Sequence, residues 1–152
     1  MIQVLFDIDV LLDILEPREE FYLDSFCVLN LCDSGQVQGW ICAESYSTIH
    51  YFLKKSLDEF EARKKIVQSL QSLAVIPIRN YTLQKSLEST MPDFEDNIKL
   101  FSAELHHIDF IITRNIKHYK KSQVPALTPS EFVKKAQKEL LSAKNGNVPF
   151  MD

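Results

Sequence analysis

The chain contains little glycine and no glycine-rich motif. Only three of its 152 residues are glycine. Loops that cradle nucleotide phosphates are built on closely spaced glycines, as in GxGxxG and GxxxxGK[ST], and neither pattern is present. The sequence therefore excludes nucleotide-binding loops of these two kinds.

Cysteine is also scarce. Cys27, Cys32 and Cys42 are odd in number, lie among apolar residues and form no CxxC pair. We expect them to be reduced and buried, as is typical of a cytoplasmic protein. The four histidines form no HxH, HxxxH or HExxH pattern, so we expect no zinc site.

Long apolar stretches are missing as well. No run of about 18 apolar residues occurs, so the sequence predicts no membrane span. The amino terminus has no basic region ahead of its apolar residues, and we expect no signal peptide. With 45% hydrophobic and 25% charged residues, the chain has the composition of one ordinary globular domain in the cytoplasm.

The net charge of −4 is unevenly distributed. Between positions 117 and 144 there are seven lysines but only two acids, so this segment is basic and the remainder is strongly acidic. A basic segment that follows acidic residues is suited to a polyanionic substrate, although taken alone it is more simply explained as a solvated helix face.

Short apolar runs alternate with segments of helical periodicity. The predicted strands are Ile2–Phe6, Val37–Cys42, Ala74–Ile78, Phe110–Ile112 and, as a possible fifth, Val124–Leu127. The predicted helices are Val10–Leu15, Phe21–Cys32, Ala43–Lys54, Asp58–Leu73, Thr82–Ser89, a helix capped by Asp93 and a last helix capped by Thr128. This alternation predicts an α/β fold with a mainly parallel sheet of four to five strands, and Pro77 suggests that the third strand lies at an edge.

Apolar periodicity also predicts which helix faces are buried. In the helix Asp58–Leu73 these residues are Phe60, Ile66, Val67, Leu70 and Leu73. In the helix after Asp93 they are Phe94, Ile98, Phe101 and Leu105. The pattern ends near Leu141, and we expect a mobile tail unless Val148, Phe150 and Met151 dock on a neighbour.

Polar side chains follow two predicted strands at their carboxyl ends. Asp7 and Asp9 follow the first strand, and Thr113 to Asn115 follow the fourth. Open α/β sheets bind ligands at this edge, and oxygen ligands that converge there suit a hard cation such as Mg²⁺. Arg114 and Lys117 are placed to contact phosphates.

Further acids lie at the starts of two helices. Glu44 begins the helix after the second strand, where the helix dipole favours a carboxylate. Asp93, Glu95 and Asp96 crowd one turn of a later helix, with Asp93 as its N-cap. Because crowded like charges repel unless a cation lies among them, Asp96, on the face that borders the core, is a candidate metal ligand. As a lone feature, Glu44 is more often explained by a helix-start preference. Asp7 or Asp9 could cap the following helix, but capping and metal binding are compatible.

Four segments, Val4–Asp13, Ala43–Tyr46, Asp93–Asp96 and Asp109–Lys117, together resemble the PIN domain, the fold of the VapC-like toxins of prokaryotic toxin–antitoxin pairs. Val124–Phe132 resembles the closing strand and helix of that family. The resemblance covers residues 1–136 and implies a three-layer α/β/α nuclease domain. Residues 137–152 are then the end of the last helix and a flexible tail.

The resemblance implies a Mg²⁺- or Mn²⁺-dependent endoribonuclease. Asp7, Glu44 and Asp96 match the first three acids of the family, and Asn115 stands at the fourth acidic position. The implied metal ligands are Asp7, Asp96, Glu44 and Asp9, and the implied supporting or substrate residues are Thr113, Arg114, Lys117 and Asp93. Two further departures are Ile8, where the family usually has a hydroxyl residue, and Asp9, where it usually has Asn.

The resemblance also implies RNA as the substrate, a small antitoxin protein as a partner and a homodimer. Its departures at Ile8, Asp9 and Asn115 leave one alternative, a PIN fold that binds RNA or a protein partner without cutting.

Two other enzyme classes fit less well. Asp7-Ile8-Asp9-Val10 resembles the first motif of haloacid-dehalogenase-type phosphatases. That class needs a downstream acidic pair, but Asp152 is the only aspartate after Asp109. A receiver domain needs a phosphoacceptor aspartate after the third strand, where Arg79 and Asn80 stand instead.

Overall fold

The computed structural model describes residues 1–146. Its strands are β1 (Ile2–Phe6), β2 (Val37–Cys42), β3 (Ala74–Ile76), β4 (Phe110–Ile112) and β5 (Ala126–Leu127). Its helices are α1 (Ile8–Leu15), α2 (Tyr22–Asp33), α3 (Ser45–Leu53), α4 (Glu59–Ser72), α5 (Asn80–Glu88), α6 (Phe94–Leu105) and α7 (Pro129–Gly146), with a short 3₁₀ helix at Ile116–Tyr119. The predicted α/β fold is confirmed.

All five strands are parallel and form one sheet with the order β3-β2-β1-β4-β5. The central strand β1 is covered on both faces, as parallel sheets require. Val4 and Phe6 pack with α1, α2, α3, α4 and α7, whereas Leu5 packs with α6 on the opposite face. This gives the expected three layers, with helices on both sides of the sheet.

The strand order reverses next to β1. The chain passes from β1 to β2 and β3 on one side and then crosses to β4 on the other side. In open α/β sheets a crevice forms at such a reversal, outside the carboxyl ends of the strands. The amide of Asp7 donates to the carbonyl of Ile112 over 2.9 Å, so the ends of β1 and β4 are held side by side at this point.

Local sequence features predicted one edge strand and two helix caps correctly. The strand β3 lies at an edge of the sheet, as Pro77 suggested, although the strand ends at Ile76. The carboxylate of Asp93 accepts a hydrogen bond from the amide of Asp96 over 3.0 Å and caps α6. Thr128 accepts one from the amide of Glu131 over 3.2 Å. Such caps depend on neighbouring residues alone, which explains why sequence predicts them.

The predicted buried faces of α4 and α6 are partly wrong. In α4, Phe60, Val67 and Leu70 are exposed, because the helix buries Ala62 and Ser69 instead. In α6, Phe94 and Leu105 at the two ends are exposed. The buried face of α6 consists of Asn97, Ile98, Lys99, Leu100, Ser102 and Ala103. Apolar periodicity correctly indicates that each helix has a buried face, but some of the apolar residues that it assigns to that face are exposed.

The last helix also differs from its prediction. It continues to Gly146 instead of ending near Leu141. The predicted tail residues Val148, Phe150 and Met151 lie outside the described residues. None of the helices within residues 1–146 is long and apolar enough to cross a membrane. The three cysteines are free thiols; Cys42 is buried and the other two are partly buried.

Candidate active site

Asp7 lies at the centre of a buried polar cluster at the end of β1. Its side chain caps α1 by accepting from the amide of Ile8 over 2.8 Å. Thr113, at the end of β4, donates its hydroxyl to Asp7 Oδ2 over 2.8 Å. Lys99 of α6 donates to Asp7 Oδ1 over 2.7 Å. Three different elements therefore fix the position of this carboxylate.

Burial alone would raise the pKa of Asp7, since the residue is only 5% exposed. The positive charge of Lys99 and the hydrogen bonds from Lys99, Thr113 and the Ile8 amide outweigh burial, so the pKa of Asp7 lies below its usual value. Asp7 is therefore a carboxylate at neutral pH, and its negative charge is available to a cation.

Lys99 bridges two carboxylates. Its Nζ atom lies 2.7 Å from Asp7 Oδ1 and 3.3 Å from Asp96 Oδ1. The second oxygen of Asp96 lies 3.1 Å from His118 Nδ1. Burial raises the pKa of Asp96, although Lys99 opposes that rise. Asp7 and Asp96, which are distant in sequence, are thus joined by one ammonium group.

Asp9 lies in a less favourable setting. Its Oδ2 accepts from the amide of Arg114 over 3.2 Å and from the side-chain amide of Asn115 over 3.1 Å. Its Oδ1 is buried and has no hydrogen-bond partner. Burial, with the negative charge of Asp7, raises the pKa of Asp9 to about 6.

Glu44 lies after β2, at the N-cap position of α3, but its side chain makes no capping bond. Both of its carboxylate oxygens are buried, and neither accepts a hydrogen bond. Burial raises the pKa of Glu44, and the nearby charge of Lys99 lowers it in part. A helix-start preference does not account for a carboxylate held in this way.

Arg114 does not reach into the crevice with its guanidinium. Its Nε lies 2.8 Å from Oδ2 of Asp13, a residue with no exposed surface, and its guanidinium stacks on the ring of Phe21. The structure therefore assigns this side chain to the packing of α1 and α2. Only its backbone amide contacts the acidic cluster, which consists of Asp7, Asp9 and Asp96.

Two clefts meet at the acidic cluster. The first, with a volume of about 330 Å³, has walls that include Asp7, Asp9, Asp96, Lys99 and Asn115. We call it the acidic cleft. The second, of about 520 Å³, contains three lysines and is called the basic cleft, although Met91 and Pro92 also form part of its wall. Its cationic residues are Lys117, Lys120 and Lys121, and both clefts share Asp93, Asp96 and His118.

The donor set of the acidic cleft fits a hard divalent cation. Within residues 1–146, no three His, Cys, Asp or Glu side chains are close enough to hold a metal ion as they stand. However, both oxygens of Glu44 and Oδ1 of Asp9 are buried without partners, and such oxygens are ligands that Mg²⁺ and Mn²⁺ prefer. The chemistry of the donors fits the ion, and the Lys99 ammonium group lies between Asp7 and Asp96.

The structure brings most of the sequence-predicted site residues together. Asp7, Asp9, Asp93, Asp96 and Asn115 line the acidic cleft, and Thr113 contacts Asp7 from beneath. Glu44 lies beside the cluster without lining either cleft, and Lys117 lines the basic cleft.

Sequence reasoning missed Lys99, His118 and Tyr119. Tyr119 is 3% exposed; burial, with the negative charges of Asp7 and Asp96, holds its pKa far above the usual value. The available signal for Lys99 was a lysine between Ile98 and Leu100, on the turn that follows Asp96.

The sequence model of the PIN domain family matches residues 3–117. The chain belongs to the PIN domain family. The matched part contains all of β1 except Ile2, the strands β2 to β4 and every residue of the acidic cluster. A comparison with curated proteins finds no match.

Solved structures share the fold of this PIN domain at low sequence identity. VapBC2 from Rickettsia felis, bound to a promoter DNA fragment, has a TM-score of 0.64 at 13% identity and covers 84% of this chain and 98% of its own. A toxin–antitoxin complex from Klebsiella pneumoniae has a TM-score of 0.62 at 22% identity, with 83% and 97% covered. FitAB bound to a DNA fragment has a TM-score of 0.65 at 13% identity, with 83% and 94% covered.

Proposed function

We propose that this PIN domain is a metal-dependent endoribonuclease that hydrolyses phosphodiester bonds of RNA. The observation that carries the proposal is the shared wall of the two clefts, formed by Asp93, Asp96 and His118. A polyanion bound along the lysines of the basic cleft would pass directly over the carboxylates of the acidic cleft. This juxtaposition suits cleavage inside a nucleic acid chain better than it suits a small neutral substrate.

Asp7, Glu44 and Asp96 would hold Mg²⁺ or Mn²⁺, with Asp9 as a further oxygen donor. When bound, such an ion supplies a water of lowered pKa and stabilises negative charge on the phosphoryl oxygens. The protein's own groups do the rest. Thr113 and the Ile8 amide fix the orientation of Asp7, and the side-chain amide of Asn115 fixes that of Asp9.

The lysines of the basic cleft would bind the phosphates on either side of the cut bond. Lys117, Lys120 and Lys121 are all exposed and line one wall, so they are available to a ligand. Because each contact neutralises a phosphate and releases counterions, we expect RNA binding to weaken as salt is added. Arg114 has no part in this step, since Asp13 holds its guanidinium.

The cleavage test uses purified protein, Mn²⁺ and a set of single-stranded and structured RNAs. We expect cleavage that EDTA abolishes, and a loss of about 100-fold or more in the Asp96→Asn variant. The matched control is Asp33→Asn, an exposed aspartate at the end of α2. Absence of cleavage with every RNA, or equal cleavage by Asp96→Asn, contradicts the proposal.

We also propose that the protein is the toxin of a toxin–antitoxin pair, bound by a small antitoxin and able to form a homodimer. Support comes from the structural neighbours, two of which are VapBC2 and a toxin–antitoxin complex. Expression of the chain alone should slow growth, and co-expression with a small protein encoded next to its gene should restore it. Unchanged growth of the host would count against the toxin role.

A PIN fold that binds RNA or a protein partner without cutting is the second candidate. Lys99, which lies between Asp7 and Asp96, and Asn115, which carries no charge, favour it. This candidate predicts RNA binding that is independent of divalent ions, together with no cleavage by the parent protein. Gel-shift and cleavage assays on the same RNAs separate the two candidates.

A further inference from the structure

Lys99 is unusual among the lysines of this protein. It is 4% exposed, whereas every other lysine within residues 1–146 is partly or fully exposed. Its ammonium group lies between carboxylates from two separate elements, Asp7 after β1 and Asp96 in α6. A buried lysine is stable only when it is paired, and here both partners are the acids that the proposed function assigns to the metal.

The contacts of Asp7 leave little room for two cations. Its Oδ1 already accepts from the Ile8 amide and from Lys99, and its Oδ2 accepts from Thr113. A divalent ion bound to the same oxygen as Lys99 would stand close to a second positive charge in a poorly solvated site. Like charges at such separations repel strongly. Binding of the ion at Asp7 therefore destabilises the ammonium group there, and the ammonium group in turn weakens binding of the ion.

We propose that Lys99 is a tethered cation that competes with the divalent ion for Asp7 and Asp96. In the metal-free protein Lys99 offsets part of the negative charge of the two carboxylates and stabilises the fold. Binding of the ion requires its ammonium group to leave Asp7 Oδ1. Lys99 therefore stabilises the protein without metal and weakens its affinity for metal. The inference rests on the metal site of the proposed function, but it concerns metal binding and not cleavage.

The test compares Mn²⁺ affinity and thermal stability in the parent, Lys99→Met and Lys99→Arg, without RNA. Removal of the charge in Lys99→Met should lower the melting temperature in EDTA and raise Mn²⁺ affinity by about 10-fold or more. Lys99→Arg keeps the charge and should keep the weak affinity. Lys64→Met, an exposed lysine of α4, is the control for net charge and should change neither quantity.

The opposite signs of the two effects separate competition from a purely structural role. If Lys99 only supported the fold, its loss would lower both stability and Mn²⁺ affinity. Equal or weaker affinity in Lys99→Met than in the parent therefore overturns the proposal. If neither the parent nor Lys99→Met binds Mn²⁺, the inference falls together with the metal site. If the parent binds and Lys99→Met gains nothing, the inference alone falls.

A measurement on the parent protein covers the case in which Lys99→Met does not fold. During a Mg²⁺ titration, the NMR signal of the Lys99 side-chain Cε–H group, assigned by its absence in Lys99→Arg, should move as the ion binds. The signal of Lys64 should stay in place. Saturation with Mg²⁺ that leaves the Lys99 signal unchanged would show that Lys99 keeps its position, against the proposal.

Discussion

Two carboxylates at the end of β1 have very different surroundings, although only Ile8 separates them. Asp7 is the more buried of the two, yet its pKa is lowered, because Lys99, Thr113 and the Ile8 amide all donate to it. Asp9 has only neutral donors, the Arg114 amide and the Asn115 side chain, and its pKa rises to about 6. For Asp7 the positive charge of Lys99 and the hydrogen bonds outweigh burial, whereas for Asp9 burial and the negative charge of Asp7 prevail.

The comparison divides the acidic cleft into two sides. The Asp7 side, which consists of Asp7, Asp96 and Lys99, has an internal cation that offsets part of its negative charge. The Asp9 side, which consists of Asp9 and Asn115, keeps a buried oxygen without a partner, as does the neighbouring Glu44. The first side contributes to the stability of the fold, and the second retains unsatisfied negative charge that a metal ion would stabilise.

The largest effect is expected from Asp7→Asn. It removes one partner of a buried ion pair and leaves Lys99 with Asp96 alone. We expect the free energy of unfolding in EDTA to fall by about 3–5 kcal/mol, as measured by urea denaturation. Glu19→Gln, an exposed acid, should change it by no more than about 0.5 kcal/mol. A similar small change in Asp7→Asn would show that Lys99 does not stabilise the fold through Asp7.

Asp9→Asn should have the opposite effect and raise the free energy of unfolding. Because the pKa of Asp9 rises from 3.8 to about 6 on folding, its charge destabilises the folded protein above pH 6. We expect Asp9→Asn to be more stable than the parent by at most about 3 kcal/mol at pH 7–8. The difference should shrink as pH falls from 6 towards 4, because the parent then binds a proton at Asp9.

Urea denaturation of the Asp9→Asn variant and the parent in EDTA from pH 3 to 8 measures this difference. The exposed Asp33→Asn should track the parent at every pH. A variant that is less stable than the parent at pH 7 would mean that the Asp9 carboxylate is stabilised by its neighbours.

Glu44→Gln tests the same contrast between buried carboxylates with and without a nearby positive charge, with a smaller expected change in stability. Both oxygens of Glu44 are buried without partners, so loss of the charge should raise stability in EDTA by roughly 1 kcal/mol. Cleavage with Mn²⁺ should fall about tenfold or more, since the oxygens that would meet the ion lose their charge. Thermal melts and cleavage rates on one preparation measure both effects. Falling stability, or unchanged cleavage, would remove Glu44 from the site.

The smallest effect concerns the basic cleft. Lys120→Gln and Lys121→Gln should each weaken RNA binding a few-fold and reduce the slope of log affinity against log salt by about 0.7. Fluorescence anisotropy at several salt concentrations measures both quantities. Lys144→Gln, near the end of α7 and outside the basic cleft, is the control. If all variants give the same slope of log affinity against log salt, the lysines of the basic cleft do not contact the RNA.

Much of the fold follows from local features of the sequence. Apolar runs give β1 and β2, Asp93 and Thr128 cap their helices through neighbouring amides, and Pro77 marks the edge strand. Parallel pairing then places the carboxyl ends of all strands at one edge, so the meeting of Asp7 with Thr113 and of Asp9 with Asn115 was predictable. Each of these inferences needs only neighbouring residues or the direction of a strand.

The pairing of the acids was not predictable in this way. Lys99 lies in an apolar stretch of α6, and only the tertiary position of that helix brings its ammonium group to Asp7. The same holds for Arg114, whose partner Asp13 lies on α1, and for Phe60, whose exposure depends on how α4 is turned. Periodicity reveals that a helix has a buried face, but long-range contacts decide which polar groups share it.

The most direct test of the account is a crystal of the protein soaked in Mn²⁺ and measured at a wavelength where manganese scatters anomalously. If Lys99 competes with the ion, we expect an anomalous peak in the acidic cleft, in contact with oxygens of Asp7 and Asp96, with the Lys99 ammonium group moved away from Asp7 Oδ1. Soaked crystals that diffract well but show no peak in the cleft, or a peak beside an unmoved Lys99, would contradict it.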